Sequence, residues 1–124
     1  MSFTVVVADD DADIRDLVGI AVTRAGLTLV ASASDGAAAL AAIREHKPDL
    51  AILDVAMPEM SGLDVVREVR ADDSVGDLRI LLLSASVDEA SQEVGIEAGA
   101  DYFLAKPFSP RELAAWLSVG KEPR

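Results

Sequence analysis

Thr4-Val5-Val6-Val7-Ala8-Asp9-Asp10-Asp11 decides how this chain is read: a short run of strand character ends directly in three carboxylates. β-Branched side chains crowd a helix but suit a pleated sheet, and apolar residues at successive positions mark a strand covered on both faces. Thr4 to Ala8 is therefore read as a buried strand, followed by helical periodicity over Asp13 to Ala25. The same unit returns along the chain. Strands at Leu27 to Ser32, Leu50 to Leu53, Arg79 to Leu83 and Asp101 to Ala105 precede helical patterns at Gly36 to Glu45, Gly62 to Ala71, Val87 to Ala98 and Pro110 to Val119. Strands alternating with helices of this length are βαβ units, so the expected fold class is α/β, a (βα)5 parallel five-stranded sheet with helices on both faces.

Helix ends carry their own signals. Ser109-Pro110-Arg111-Glu112 joins an N-cap serine, a proline at the first helical position and a glutamate at the third. Ser86 and Glu89 have the same capping-box spacing ahead of the fourth helix, and Gly26 and Gly99 stand where a left-handed residue closes a helix. The fourth helix has a thin apolar stripe, Ala90, Val94 and Ala98, and contains Gly95. Glycine weakens a helix, so this element is expected to be the least firmly held.

With 124 residues, the chain has room for one domain, expected over residues 1–120, with 121–124 a tail or the start of a linker. Its 51% hydrophobic content and mean hydropathy of +0.29 place it outside the disordered regime. A net charge of −11 and no basic cluster argue against direct nucleic-acid binding by this domain. No cysteine is present, which excludes disulfides and thiolate metal sites. The start, Met1-Ser2-Phe3-Thr4, has no basic leader, and no apolar run approaches the roughly 18 residues of a membrane span. A soluble, cytoplasmic protein without membrane contact is expected.

The residues that close the strands carry the chemistry. Strand one ends in Asp9, Asp10 and Asp11, strand three in Asp54, strand four in Ser84 and strand five in Lys106. Right-handed βαβ connections put all these ends on one sheet edge, where such folds bind ligands. Clustered carboxylates stay ionised together only beside a cation, and hard oxygen donors without His or Cys select Mg²⁺. Mg²⁺ leaves coordination positions for phosphate oxygens, Lys106 suits a phosphoryl group as a point charge, and Ser84 offers it a hydroxyl. Asp54 is then placed as the nucleophile that accepts a phosphoryl group. Asp11 is read as a helix cap and His46 as a solvated helix-end residue without a function, whereas Trp116 either closes the core edge or anchors a partner.

Val5-Val6-Val7-Ala8-Asp9-Asp10, Leu53-Asp54-Val55-Ala56-Met57-Pro58 with Ser61-Gly62, Leu83-Ser84-Ala85 and Lys106-Pro107-Phe108 together resemble the receiver domain of bacterial two-component response regulators, over almost the whole chain. The resemblance implies a flavodoxin-like three-layer sandwich with strand order 2-1-3-4-5. It implies a switch rather than an enzyme, with Asp54 taking a phosphoryl group from the phosphohistidine of a sensor histidine kinase or phosphotransfer protein. It assigns Mg²⁺ to Asp10, Asp54 and the backbone carbonyl of Ala56, with Asp9 acting mainly through water. Ser84 and the strand-five aromatic, Phe103, would relay phosphorylation by moving toward the site and turning inward. The face of helix four, strand five and helix five would then engage a downstream protein, an attached effector domain or a second copy. Phe103 departs from the frequent tyrosine, so packing alone must hold its inward position. Ala56 and Ser86, flanking the phosphoryl group by resemblance, offer no acid or amide to position an attacking water. The rival readings are a phosphohydrolase of the haloacid dehalogenase type, which needs a second acid where Ala56 stands, and a phosphorylation-independent binding module.

Overall fold

The structure, a computed structural model, describes residues 3–85 and 88–120. Its elements alternate throughout: β1 (Thr4–Ala8), α1 (Ala12–Arg24), β2 (Thr28–Ala33), α2 (Gly36–His46), β3 (Leu50–Asp54), α3 (Gly62–Ala71), β4 (Arg79–Ser84), α4 (Glu89–Ala98), β5 (Tyr102–Ala105) and α5 (Pro110–Gly120). The strands form one parallel sheet in the order β2-β1-β3-β4-β5. β3, the middle strand, is buried along its whole length, Asp54 at its end included, and its apolar run Leu50 to Leu53 suits cover on both faces.

Strand alternation divides the core into two layers. Val6, Ala8, Ala51, Leu53, Ile80 and Leu82 pack with Ala39, Leu40 and Ile43 of α2 and Val65, Val66 and Val69 of α3. Val5, Val7, Leu50, Ile52, Leu81 and Leu83 face the other way, toward Val18, Ala21 and Val22 of α1 and Leu113 and Leu117 of α5. Each buried Val, Leu or Ile side chain among them, taken out of water, contributes about 1.5–3 kcal/mol of transfer free energy. Phe103 belongs to the first layer and its neighbour Tyr102 to the second, where Tyr102 meets Trp116 edge to face at 5.0 Å. Trp116 thus closes the core edge, partly buried.

Several boundaries move from their sequence-based positions for local reasons. Leu27 lies outside β2 because its N–H donates to the Val22 carbonyl and completes the end of α1, beside Gly26 at φ 78°. The fourth helix begins at Glu89, not Val87, and its N-cap is Asp88, whose carboxylate accepts from the Ser91 N–H. A carboxylate serves the orphan amides and the helix dipole together, so Asp88 takes the role expected of Ser86. Ser86 and Val87 lie outside the described residues, as do residues 121–124. The expected box at α5 is present, Ser109 Oγ accepting from Glu112 N and Glu112 Oε1 from Ser109 N. His46 ends α2, exposed and beside Glu45.

One tie at the opposite sheet edge left no sequence signal. Arg70, in the last turn of α3, donates to the Gly99 carbonyl, the Leu78 carbonyl and the Asp101 carboxylate at 2.7–2.8 Å. The same Asp101 oxygen accepts from the Ile80 N–H. A single guanidinium, with five donors in a fixed fork, therefore joins α3, the start of β4, the end of α4 and the start of β5.

Candidate functional site

The C-terminal sheet edge collects the expected side chains. Asp54 and Ser84 are the last residues of β3 and β4, still inside their strands, and are 6% and 8% exposed. Asp9 follows β1 and is fully buried, whereas Asp10 beside it is exposed. Carboxylate oxygens of Asp9, Asp10 and Asp54 lie within 4.8 Å of one another. Lys106, just past β5, reaches back across β4 to place its ammonium 2.8 Å from Asp9 Oδ2 and 3.2 Å from Asp54 Oδ1. The Lys106-Pro107 peptide is cis, and the Lys106 N–H donates to the Ser84 carbonyl at 2.9 Å. Ser84, Ala56, Asp10, Asp54 and Lys106 line a common cleft of about 370 Å³.

Asp9 is committed on both oxygens: Oδ1 accepts from the Asp11 N–H at 2.9 Å while Oδ2 meets Lys106. Its carbonyl accepts from Arg15 Nη1 at 2.8 Å, a contact from α1 that sequence reading missed because the spacing of Asp9 and Arg15 carries no known pattern. Asp11 caps α1 by accepting from the Asp13 N–H, as expected of it. The loop beyond Asp54 folds back tightly. The Gly62 N–H donates to the Val55 carbonyl at 2.9 Å, and a Cβ at Gly62 would overlap the Asp54 carbonyl oxygen. Only glycine lets α3 start against the strand that presents Asp54. A capping box between Ser61 and Asp64, also unread in the sequence, fixes that start.

The electrostatics follow from burial. Removal from water, reinforced by the Asp9 charge, raises the pKa of Asp54, and the Lys106 ammonium and Ala56 amide only partly restore it. Burial opposes the charge on Lys106, yet its hydrogen bonds to Asp9 and Asp54 and their negative charges outweigh that effect and raise its pKa. Lys106 thus pairs with Asp9 and Asp54, and with the Asp10 carboxylate within 4.8 Å of theirs the cluster keeps excess negative charge. The donors are all hard oxygens, and one of them, Asp10, faces solvent, which fits a divalent cation of the Mg²⁺ class.

Residues 5–118 match the sequence profile of the response regulator receiver domain, and the chain belongs to that family. It is a signalling domain rather than a true enzyme. The chain is 43% identical over 116 residues to the transcriptional regulatory protein GltR of Pseudomonas aeruginosa, which covers 94% of this chain and 48% of GltR. It thus spans about half the length of the curated relatives it matches. Among solved structures, the chemotaxis response regulator CheY4 of Vibrio cholerae superposes with a TM-score of 0.86 at 32% identity, over 94% of this chain and 97% of CheY4. A CheX–CheY–BeF3–Mg²⁺ complex from Borrelia burgdorferi aligns with a TM-score of 0.86 at 25% identity, covering 95% of this chain and 89% of that one. Mg²⁺ therefore occurs in a relative's structure. In this chain, no helix among the described residues is long and apolar enough to cross a membrane.

Proposed function

We propose that Asp54 accepts a phosphoryl group from the phosphohistidine of a sensor histidine kinase or phosphotransfer protein, and that this transfer switches the surface formed by α4, β5 and α5. The observation that carries the reading is the placement of Lys106 Nζ between Asp9 and Asp54, with Asp10 open to solvent beside them. In the transfer, an Asp54 carboxylate oxygen forms the new bond to phosphorus while the phosphorus–nitrogen bond to the histidine breaks and its electron pair stays on the imidazole. Asp10, Asp54 and the Ala56 carbonyl would hold Mg²⁺, with Asp9 acting through water. Bound there, Mg²⁺ supplies charge against the equatorial phosphoryl oxygens. Lys106 would contribute a second positive charge, and Ser84 a hydroxyl donor. Ser84 and Phe103 form the route from the phosphoryl group to α4. The output goes to a downstream protein, an attached effector domain or a second copy meeting this one through α4, β5 and α5, in the cytoplasm.

Intact-mass analysis tests the reading. Incubation with acetyl phosphate or a phosphohistidine donor and Mg²⁺ should add one phosphoryl group, which should be absent in Asp54→Asn and absent with chelator. An unchanged mass for the parent protein would sink it. Sustained turnover of a phosphate ester would favour the phosphohydrolase class instead, although Ala56 provides no second acid for it.

A further inference from the structure

Between Asp54 and α3 the chain makes a turn that is strained on its own. Glu59 sits at φ 65°, and across it the Met60 N–H donates to the Pro58 carbonyl at 2.7 Å. A hydrogen bond of this span around a positive φ is the rare form of the γ-turn, and glutamate lacks the freedom of glycine there. Such a conformation persists only where its surroundings over-determine it. The far end of the loop is fixed by the Ser61–Asp64 box and by the Gly62 N–H, which returns to the Val55 carbonyl.

The turn itself is held by Gly36, the first residue of α2. Gly36 is buried and follows the Asp35 cap, whose carboxylate accepts from the Ala38 N–H at 2.7 Å. A Cβ at position 36 would overlap the Met60 carbonyl oxygen and crowd its carbonyl carbon and Cβ. The Met60 backbone therefore lies directly against the start of α2, while its side chain packs on the first apolar layer. Gly36 is not left-handed, so its absent side chain supplies space rather than conformation. Alanine would otherwise suit the helix better.

Ala56, three residues before Glu59, lines the cleft with Asp10, Asp54 and Lys106, and its amide acts on the Asp54 carboxylate. In a loop closed between Val55 and Gly62, a displaced Met60 displaces Ala56 as well. We propose that Gly36 is a positioning residue for the metal: by admitting the Met60 backbone it holds the Glu59 turn, and through it Ala56, in place before Mg²⁺ arrives. The proposal rests on the reading that gives Mg²⁺ to Asp10, Asp54 and the Ala56 carbonyl.

Metal selectivity measures positioning. Mg²⁺ requires near-octahedral oxygens at about 2.0–2.1 Å, whereas Ca²⁺ accepts flexible geometry at about 2.3–2.6 Å, so a displaced ligand costs the smaller ion more. Titration of the whole chain with MgCl2 and, separately, CaCl2, followed by ¹⁵N NMR, compares the parent with Gly36→Ala and Gly19→Ala. Gly19 is the control, a helical glycine whose added Cβ would meet Leu29 Cδ2 at an ordinary 3.7 Å. In Gly36→Ala the Mg²⁺ dissociation constant should rise about tenfold or more and that of Ca²⁺ less than about threefold. Gly19→Ala should keep both near the parent values. Equal losses of both ions, no loss, or the same change in Gly19→Ala would overturn the positioning role, because a merely loosened fold does not distinguish the ions.

The metal-free parent gives a second readout, which stands even where Gly36→Ala does not fold. Contacts from the Gly36 α-protons to Met60 should be present without metal and equally strong with Mg²⁺; contacts that appear only with the ion would overturn the proposal. Should Mg²⁺ fail to bind the parent, or bind Asp10→Ala as it binds the parent, the metal reading falls and takes the role of Gly36 with it. Binding by the parent with unchanged selectivity in Gly36→Ala overturns the role of Gly36 alone.

Discussion

Lys106 Nζ stands 3.2 Å from Asp54 Oδ1, although the two residues leave strands that are not neighbours: β4 lies between β3 and β5. The lysine spans that strand because its own N–H is tied to the Ser84 carbonyl at the end of β4. The pair is the main local counterweight to the shared charge of Asp9 and Asp54.

Lys106→Met should therefore leave two buried carboxylates without their close cation and lower stability at neutral pH by about 2 kcal/mol. Urea unfolding would show it, with millimolar Mg²⁺ recovering part of the loss. The contribution of Lys106 in the parent is fully present below its ordinary pKa of 10.5 and is lost only as pH rises through its higher folded value.

Asp54 shifts in the same direction but in acid, and here the charged form is the disfavoured one. Its folded pKa lies above the ordinary 3.8, chiefly through burial, so between those values the folded state binds more protons than the unfolded one. Stability should fall as pH rises through that window and level off above the folded pKa. Asp54→Asn cannot ionise, and without Mg²⁺ at neutral pH it should melt a few degrees above the parent, with the advantage vanishing in acid. Thermal melts of both proteins across pH check this.

Mg²⁺ should raise the melting temperature by mass action, about 1.4 kcal/mol at ten times its dissociation constant. Asp10 is exposed and has no structural bond among the described contacts, so Asp10→Ala should melt like the parent without the metal and lose the shift with it. A Mg²⁺ titration followed by differential scanning fluorimetry distinguishes the two.

Arg70→Ala removes donors to the Gly99 carbonyl, the Leu78 carbonyl and Asp101. A loss of about 1.5–3 kcal/mol is expected, the order of one hydrogen bond to a charged group, together with faster amide exchange at the end of α4. Arg70→Lys supplies a point charge without the fork and should recover only part of the stability. Unfolding free energies and hydrogen exchange on the two variants measure both effects.

Much of this was legible beforehand because strand burial and helix capping leave local marks. The run Leu50 to Leu53 could hardly be other than a central strand, and Ser109-Pro110-Arg111-Glu112 announced its helix. The start of α4 was misplaced because Ser86 and Asp88 are both good caps, and local pattern alone does not choose between them. Gly95 was read only in part. As sequence it weakens a helix; in the fold it is also the close approach beside which the Phe103 ring lies.

By itself, then, the sequence determined five parallel βα units and the identity of the residues at their strand ends, since periodicity and chain chirality decide which side chains reach that edge. Tertiary structure alone decided that Asp9 is the fully buried acid bound to Lys106 while Asp10 faces solvent, and that Arg70 pins α4 and Phe103 lies beneath it. These relationships join residues 97, 29 and 8 positions apart, and contacts at such separations leave no periodic trace along the chain.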